Sequence, residues 1–157
     1  ALAVAGFKGV DRRFQHKASI RGMEFYDDYG HHPTEVEAVL NGFKEKFPDR
    51  RVVVLFQPHR FSRTQICWDQ FLRCFVKADH LFLMDVYAAG EAPIAGITSE
   101  RLAKEMDHGS CVYVSRQTDP EMTAVRSYLK AGDVVVTLGA GDVYKLGERL
   151  MENLAKS

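Results

Sequence analysis

Nowhere does this sequence run through the roughly 20 consecutive apolar residues that a membrane-crossing helix needs. Its opening, ALAVAGFKGV, is too short and too soon charged for a secretory leader; it lacks Met and reads as the end of a helix cut from something longer. Cysteine is scarce. Cys67, Cys74 and Cys111 are odd in number, lack C-x-x-C spacing and fall in apolar stretches. They read as buried free thiols in a reducing compartment, which points to the cytosol. Neither sign of charge predominates, since 21 Lys and Arg match 21 Asp and Glu. A global field for nucleic acid or an anionic membrane is therefore excluded, although a local anion site is not. Also missing are a P-loop, an H-E-x-x-H zinc motif and a Ser-His-Asp motif. No repeat, low-complexity tract or linker interrupts the chain.

What is present is enough for one globular domain. Over 157 residues, 46% are apolar and 27% charged, a composition that supports a substantial core. Residues 13–20 and 23–27 read as two short strands turning at Arg21-Gly22. A helix over 33–47 opens with Pro33, where a missing N–H costs nothing, and carries Val36, Val39, Leu40, Phe43 and Phe47 on one face. RVVVLF (51–56) is a continuous β-branched run, the pattern of a strand covered on both sides. The alternation then repeats: helix 64–77, strand 80–85, helix 98–106, strand 111–114, helix 119–130, strand 133–138, helix 142–154. Buried-type strands alternating with helices predict an α/β fold, a three-layer, doubly wound, mostly parallel, Rossmann-like sheet with an antiparallel edge strand from the opening hairpin.

Ligands of such sheets bind beyond the carboxyl ends of the strands. The segments there are YDDYGHHPTE (26–35), QPHRFSRT (57–64), DVYAAGEAPIAG (85–96), SRQT (115–118) and GAGD (139–142). Most are rich in charge, His, Tyr or Gly, whereas KFPDR and LKAGD at the other edge look like ordinary turns. Asp27 and Asp28 could hold Mg²⁺ through water or accept a ribose hydroxyl; the alternative is an N-terminal cap, for which Asp28 lies far ahead of the helix. His31 and His32 are adjacent rather than four apart, so they do not form a helical zinc pair. One of them is expected to cap the helix or bond backbone while the other faces the site. Tyr29 can stack on a ligand or pack in the core. Arg60 and Arg63, three apart at a strand-to-helix junction, suit a phosphate or carboxylate, with a solvated face as the alternative. GAGD could admit an anion to a helix N-terminus but fits a tight turn better.

Together YDDYGHHPTE, FQPHRFSRT, DVYAAGEAPIAG and GAGD resemble the C-terminal domain of the Mur ligases of peptidoglycan synthesis, over essentially the whole chain. GVDRRF (9–14) resembles the segment joining that family's central domain to its third. Residues 1–12 would then be the tail of that connection and 13–157 the third domain. DDYGHHPTE with QPHRFSRT is similar to the alanine-adding branch, whereas the tripeptide-recycling branch typically reads DDFAHHPT. The resemblance implies a bacterial cytoplasmic ligase with an N-terminal sugar-nucleotide domain and a central ATPase domain. It would use ATP and Mg²⁺ to phosphorylate UDP-N-acetylmuramate, and L-alanine would attack the acyl phosphate while this domain closes over them. Carried over by motif, Arg13 would meet ATP phosphates and Asp28 the ribose or a water on Mg²⁺. Tyr29, His31, Arg60 and Arg63 would line the alanine and acyl-phosphate pocket, with Arg60, Arg63 and His31 in the catalytic set. Without a P-loop the chain alone should be inactive. A receiver-type phosphoacceptor domain would share Asp27, Asp28 and Asp85 but needs a Lys where Gly139-Ala140-Gly141 stands. A dinucleotide-binding module would carry its glycines after the first strand.

Overall fold

The computed structural model describes residues 12–120 and 122–157; the tail expected over 1–12 lies outside the described residues except for Arg12. Two strands, β1 (Gln15–Ile20) and β2 (Met23–Asp28), form the antiparallel hairpin. They turn where Arg21 (φ 52°) and Gly22 (φ 78°) both enter the left-handed region, the geometry of a two-residue hairpin that matches strand twist. After α1 (Pro33–Lys46) come β3 (Val52–Phe56), α2 (Phe61–Ile66), α3 (Trp68–Phe71) and β4 (His80–Met84). Next are α4 (Ser99–Glu105), β5 (Cys111–Val114), α5 (Thr123–Tyr128), β6 (Val134–Leu138) and α6 (Val143–Lys156). The sheet order is β1-β2-β6-β3-β4-β5. Every pair except β1–β2 is parallel.

The strands β3, β4 and β6 are buried along their whole length and almost wholly apolar because both faces are covered. Along β3, Val52, Val54 and Phe56 point into one core with Val36, Leu40 and Phe43 of α1 and with Phe71. Val53 and Leu55 point into the other, with Val125 of α5 and Val143, Leu146, Leu150 and Leu154 of α6. This period of two serves two separate cores and gives the expected three layers. The apolar face expected on α1 is found: Val36, Leu40 and Phe43 are fully buried, and Val39 and Phe47 pack at the margin.

Two helices differ from expectation. The helix expected over 64–77 begins three residues earlier and breaks at Cys67, after which Trp68–Phe71 restarts and turns follow. The early start has a remote cause: the Glu91 carboxylate, from the loop after β4, accepts Ser62 N–H (3.0 Å) and Ser62 Oγ–H (2.5 Å), an anion at a helix N-terminus. The helix expected over 119–130 shrinks to Thr123–Tyr128. Asp119 caps it from outside, accepting Thr123 N–H (2.8 Å) and Ala124 N–H (2.9 Å), with Met122 left-handed between them (φ 53°). All three cysteines are free: Cys67 and Cys74 are buried and Cys111 half-buried. Burial pushes the Cys74 thiol well up and Cys111 to about 11.

Candidate functional site at the carboxyl rim of the sheet

β6 lies between β2 and β3, so the loops following these three strands meet at one rim, and the loop after β4 joins them. Close backbone approach is what brings them together. A Cβ on Gly139 would lie 2.8 Å from Gln57 O, and one on Gly141 would lie 2.4 Å from Gln57 Oε1 and 2.7 Å from Tyr87 Cγ. The GAGD segment is therefore glycine-rich for packing, the tight-turn reading. The first N–H of α6 is also not open to an anion, since Val143 N–H donates to Gln57 Oε1 (3.1 Å). Gln57 Nε2 donates to Asp142 Oδ1 (2.8 Å), which also accepts from Arg116 (2.5 Å). Burial raises the Asp142 carboxyl, but Gln57 and Arg116 outweigh it and hold the group below its ordinary range.

The acidic pair is buried beneath the rim rather than displayed on it. Asp27 and Asp28 are each 2% exposed. Asp27 accepts Arg12 Nε (2.8 Å) and Thr137 Oγ1 (2.6 Å). The two oxygens of Asp28 accept Phe14 N–H (2.7 Å) and Gly30 N–H (2.8 Å). Burial raises the Asp28 carboxyl despite these donors. In this conformation Asp28 builds the turn that carries Tyr29 and His31, each oxygen already accepting one backbone N–H beneath the surface. Among the described residues no group of three His, Cys, Asp or Glu could hold a metal ion.

Sequence reasoning singled out Arg13, yet its neighbour Arg12 is the one locked into the fold. The Arg12 guanidinium also donates to Gly139 O (2.7 Å) and Gly141 O (3.1 Å) and lies over the rings of Tyr29 and Tyr144. Arg13 stays exposed, paired loosely with Glu35 (3.3 Å) and lying over Tyr29. Nothing in a run of two arginines distinguishes them before the chain is folded.

Of the two histidines His32 takes the capping role, while His31 Nδ1 bonds the Tyr29 carbonyl (3.0 Å). His32 Nδ1 accepts Thr34 N–H (3.2 Å) as the N-cap of α1. His31 lies edge-on to Tyr29 (5.4 Å) and 5.8 Å from the ring of His59. His59 in turn stacks on Tyr87 (5.4 Å, 13° between planes). Tyr29 and Tyr87 are more than a third exposed, so a row of four rings crosses three loops at the surface.

Arg60 and Arg63 flank this row. Arg60 sits at φ +72°, which costs a side-chain-bearing residue on the order of 1–2 kcal/mol. It is held there by Arg60 N–H to Tyr87 O (2.8 Å) and by Thr64 N–H and Oγ–H to Arg60 O (3.1 and 2.7 Å). Arg63 turns back on its own loop, donating to His59 Nδ1 and His59 O (both 3.2 Å). Among the described residues neither arginine forms an ion pair. Burial first, then the charges of Arg63, His31 and Arg60, push His59 below the ordinary imidazole range. The structure thus brings Tyr29, His31, Arg60 and Arg63 to one rim around His59, with Arg13 at its margin and Asp28 underneath. His59 stood out in the sequence only as a loop neighbour of Arg60 and Arg63, and Gln57, Tyr87, Glu91 and Arg116 went unnamed; only their place in post-strand loops hinted at them.

Comparison with known proteins gives a consistent picture. Residues 12–141 match the family described as Mur ligase, glutamate ligase domain. UDP-N-acetylmuramate–L-alanine ligase of Bdellovibrio bacteriovorus is 55% identical over 154 residues, and that of Geobacter sulfurreducens 47% over 157. Each alignment covers 98% of this chain and 34% of the relative, so the chain spans about a third of the length of these proteins. Among solved structures, a murein peptide ligase from Psychrobacter arcticus superposes with a TM-score of 0.77 at 24% identity over 99% of this chain and 32% of that one. UDP-N-acetylmuramate–alanine ligase from Thermotoga maritima gives 0.73 at 23%, over 97% and 32%.

Proposed function

This chain belongs to the Mur ligase family, and from that premise we propose that it is the C-terminal domain of an ATP-dependent ligase joining L-alanine to UDP-N-acetylmuramate in peptidoglycan synthesis. The observation that carries the reading is a rim on which Arg60 and Arg63, neither ion-paired among the described residues, flank exposed Tyr29 and half-buried His31. It occurs in a chain 55% identical to an alanine-adding ligase. The fold matches to the murein peptide ligase and to the alanine ligase are near-equal and speak only to the shared fold. The 55% sequence identity supports the alanine-adding branch, since both branches share the backbone and amino-acid choice resides in side chains.

Each residue has a task that its geometry suits. ATP, with Mg²⁺, supplies the phosphoryl group that activates the sugar's carboxylate. Arg60 and Arg63 offer planar forks to the alanine carboxylate and the acyl phosphate, whose charge needs fixed donors once water is excluded. Tyr29 and His31 wall the pocket and keep water from the acyl phosphate as the domain closes. Arg13 reaches the ATP phosphates from the margin. Asp28, with each oxygen bonded to a backbone N–H, acts by holding the Tyr29–His31 turn, and a water-mediated link to Mg²⁺ would need water to reach its buried carboxylate. The remaining domains of the enzyme and the bacterial cytoplasm complete the setting.

Alanine substitution of either arginine in the complete enzyme tests this. Each change removes a charge-assisted hydrogen bond worth about 1.5–3 kcal/mol, ten- to a hundred-fold in alanine KM or in kcat. Arg→Lys restores part, because an ammonium lacks the fork, and the melting temperature hardly moves. Variants that unfold the domain while the surviving folded enzyme keeps full activity would make these arginines structural.

A further inference from the structure

Arg63 does not reach the rim unaided. Its guanidinium is fixed at one end by two acceptors of a single residue, His59 Nδ1 and His59 O. An arginine N–H donates only to an unprotonated nitrogen, so this bond requires the tautomer with hydrogen on Nε2. The ring is braced by its stack on Tyr87, and the backbone on either side is bridged to the loop after β4. Tyr87 N–H donates to Pro58 O (2.8 Å) and Arg60 N–H donates to Tyr87 O (2.8 Å). Tyr87 is itself wedged against Gly141, where no Cβ fits.

We propose that His59 is a positioning residue of the ligase: its neutral ring, braced by Tyr87, holds Arg63 in the orientation that presents its free N–H groups to the substrate anion. This rests on the assignment of Arg63 to the substrate pocket. Protonation of Nδ1 sets N–H against N–H and leaves Arg63 only the His59 carbonyl, loosening its orientation, so the site carries an acid-side switch. The groups facing His59 are Arg60 and Arg63 from its own loop and α2, His31 from the loop after β2, and Tyr87 and Glu91 from the loop after β4. The cations among them, with burial, favour the neutral ring, and Glu91 opposes them. The switch therefore operates below the usual histidine range.

Two substitutions in the complete enzyme separate ring from acceptor. His59→Phe keeps the stack and loses the acceptor; His59→Asn keeps an oxygen near the Nδ1 position and loses the ring. His59→Phe is expected to raise alanine KM about ten-fold with kcat little changed, and His59→Asn to recover most of that loss. In the parent enzyme alanine kcat/KM falls on the acid side as His59 takes up its proton, and His59→Asn removes that limb. If His59→Phe does not fold, His59→Asn and the parent pH profile still decide: an acid limb unchanged in His59→Asn overturns the proposal, as does an unchanged alanine KM in folded His59→Phe. A parent enzyme that ligates no alanine at any pH would instead overturn the functional reading, leaving the Arg63–His59 contact as it stands.

Discussion

Replacing Gly141 by alanine isolates the closeness of the rim loops from every other glycine effect. Gly141 is not in the left-handed region, so the added methyl brings steric cost without backbone strain. That methyl would lie 2.4 Å from Gln57 Oε1 and 2.7 Å from Tyr87 Cγ, separations real Cβ atoms do not show, so both side chains must move. Moving Gln57 strips the buried Val143 N–H of its acceptor, about 1–3 kcal/mol. Moving Tyr87 is an overpacking change, about 1–3 kcal/mol. One shift relieves part of both, so we expect about 2–4 kcal/mol in total. For a chain of this length that lowers Tm by roughly 5–15 °C. Gly109→Ala is the control, since nothing lies within 4 Å of a Cβ there and its φ is not left-handed either. Thermal unfolding of the 157-residue chain, followed by far-ultraviolet circular dichroism, compares the two. If Gly141→Ala melts within about 1 °C of the parent and of Gly109→Ala, the three loops are not packed as described.

Asp142 should make the chain acid-sensitive. Its folded pKa is depressed below 3.8 by Gln57 and Arg116 acting against burial. Its contribution is therefore present above the unfolded value and lost as pH falls through the lower folded one. Asp142→Asn should flatten the urea midpoint against pH below about pH 4, and an unchanged slope would contradict the pairing. The isolated chain, having no P-loop, should neither ligate alanine nor bind Mg-ATP tightly. A sub-micromolar site in isothermal titration, or turnover by the fragment, would mean that the nucleotide is held differently from our proposal.

Much of this architecture could be read from local pattern. RVVVLF and DVVVTL are apolar at consecutive positions because parallel strands are covered on both faces, and Pro33 with its spaced apolar residues marks α1 for the same kind of reason: burial imposes a period that a short window reveals. The same logic assigned the chemistry-bearing segments to one edge, since only post-strand loops reach it. Tertiary structure alone decided how those loops interlock. That β6 enters between β2 and β3, that Arg12 rather than Arg13 grips Asp27 and Gly139, and that Gln57 caps α6 are bonds between residues 15 to 127 positions apart. The early start of α2 is of this kind too, being fixed by Glu91, as is the burial of Asp28 beneath the rim. A hydrogen bond needs a partner within about 3 Å, and which distant side chain supplies it is settled only when the sheet order has brought the loops together.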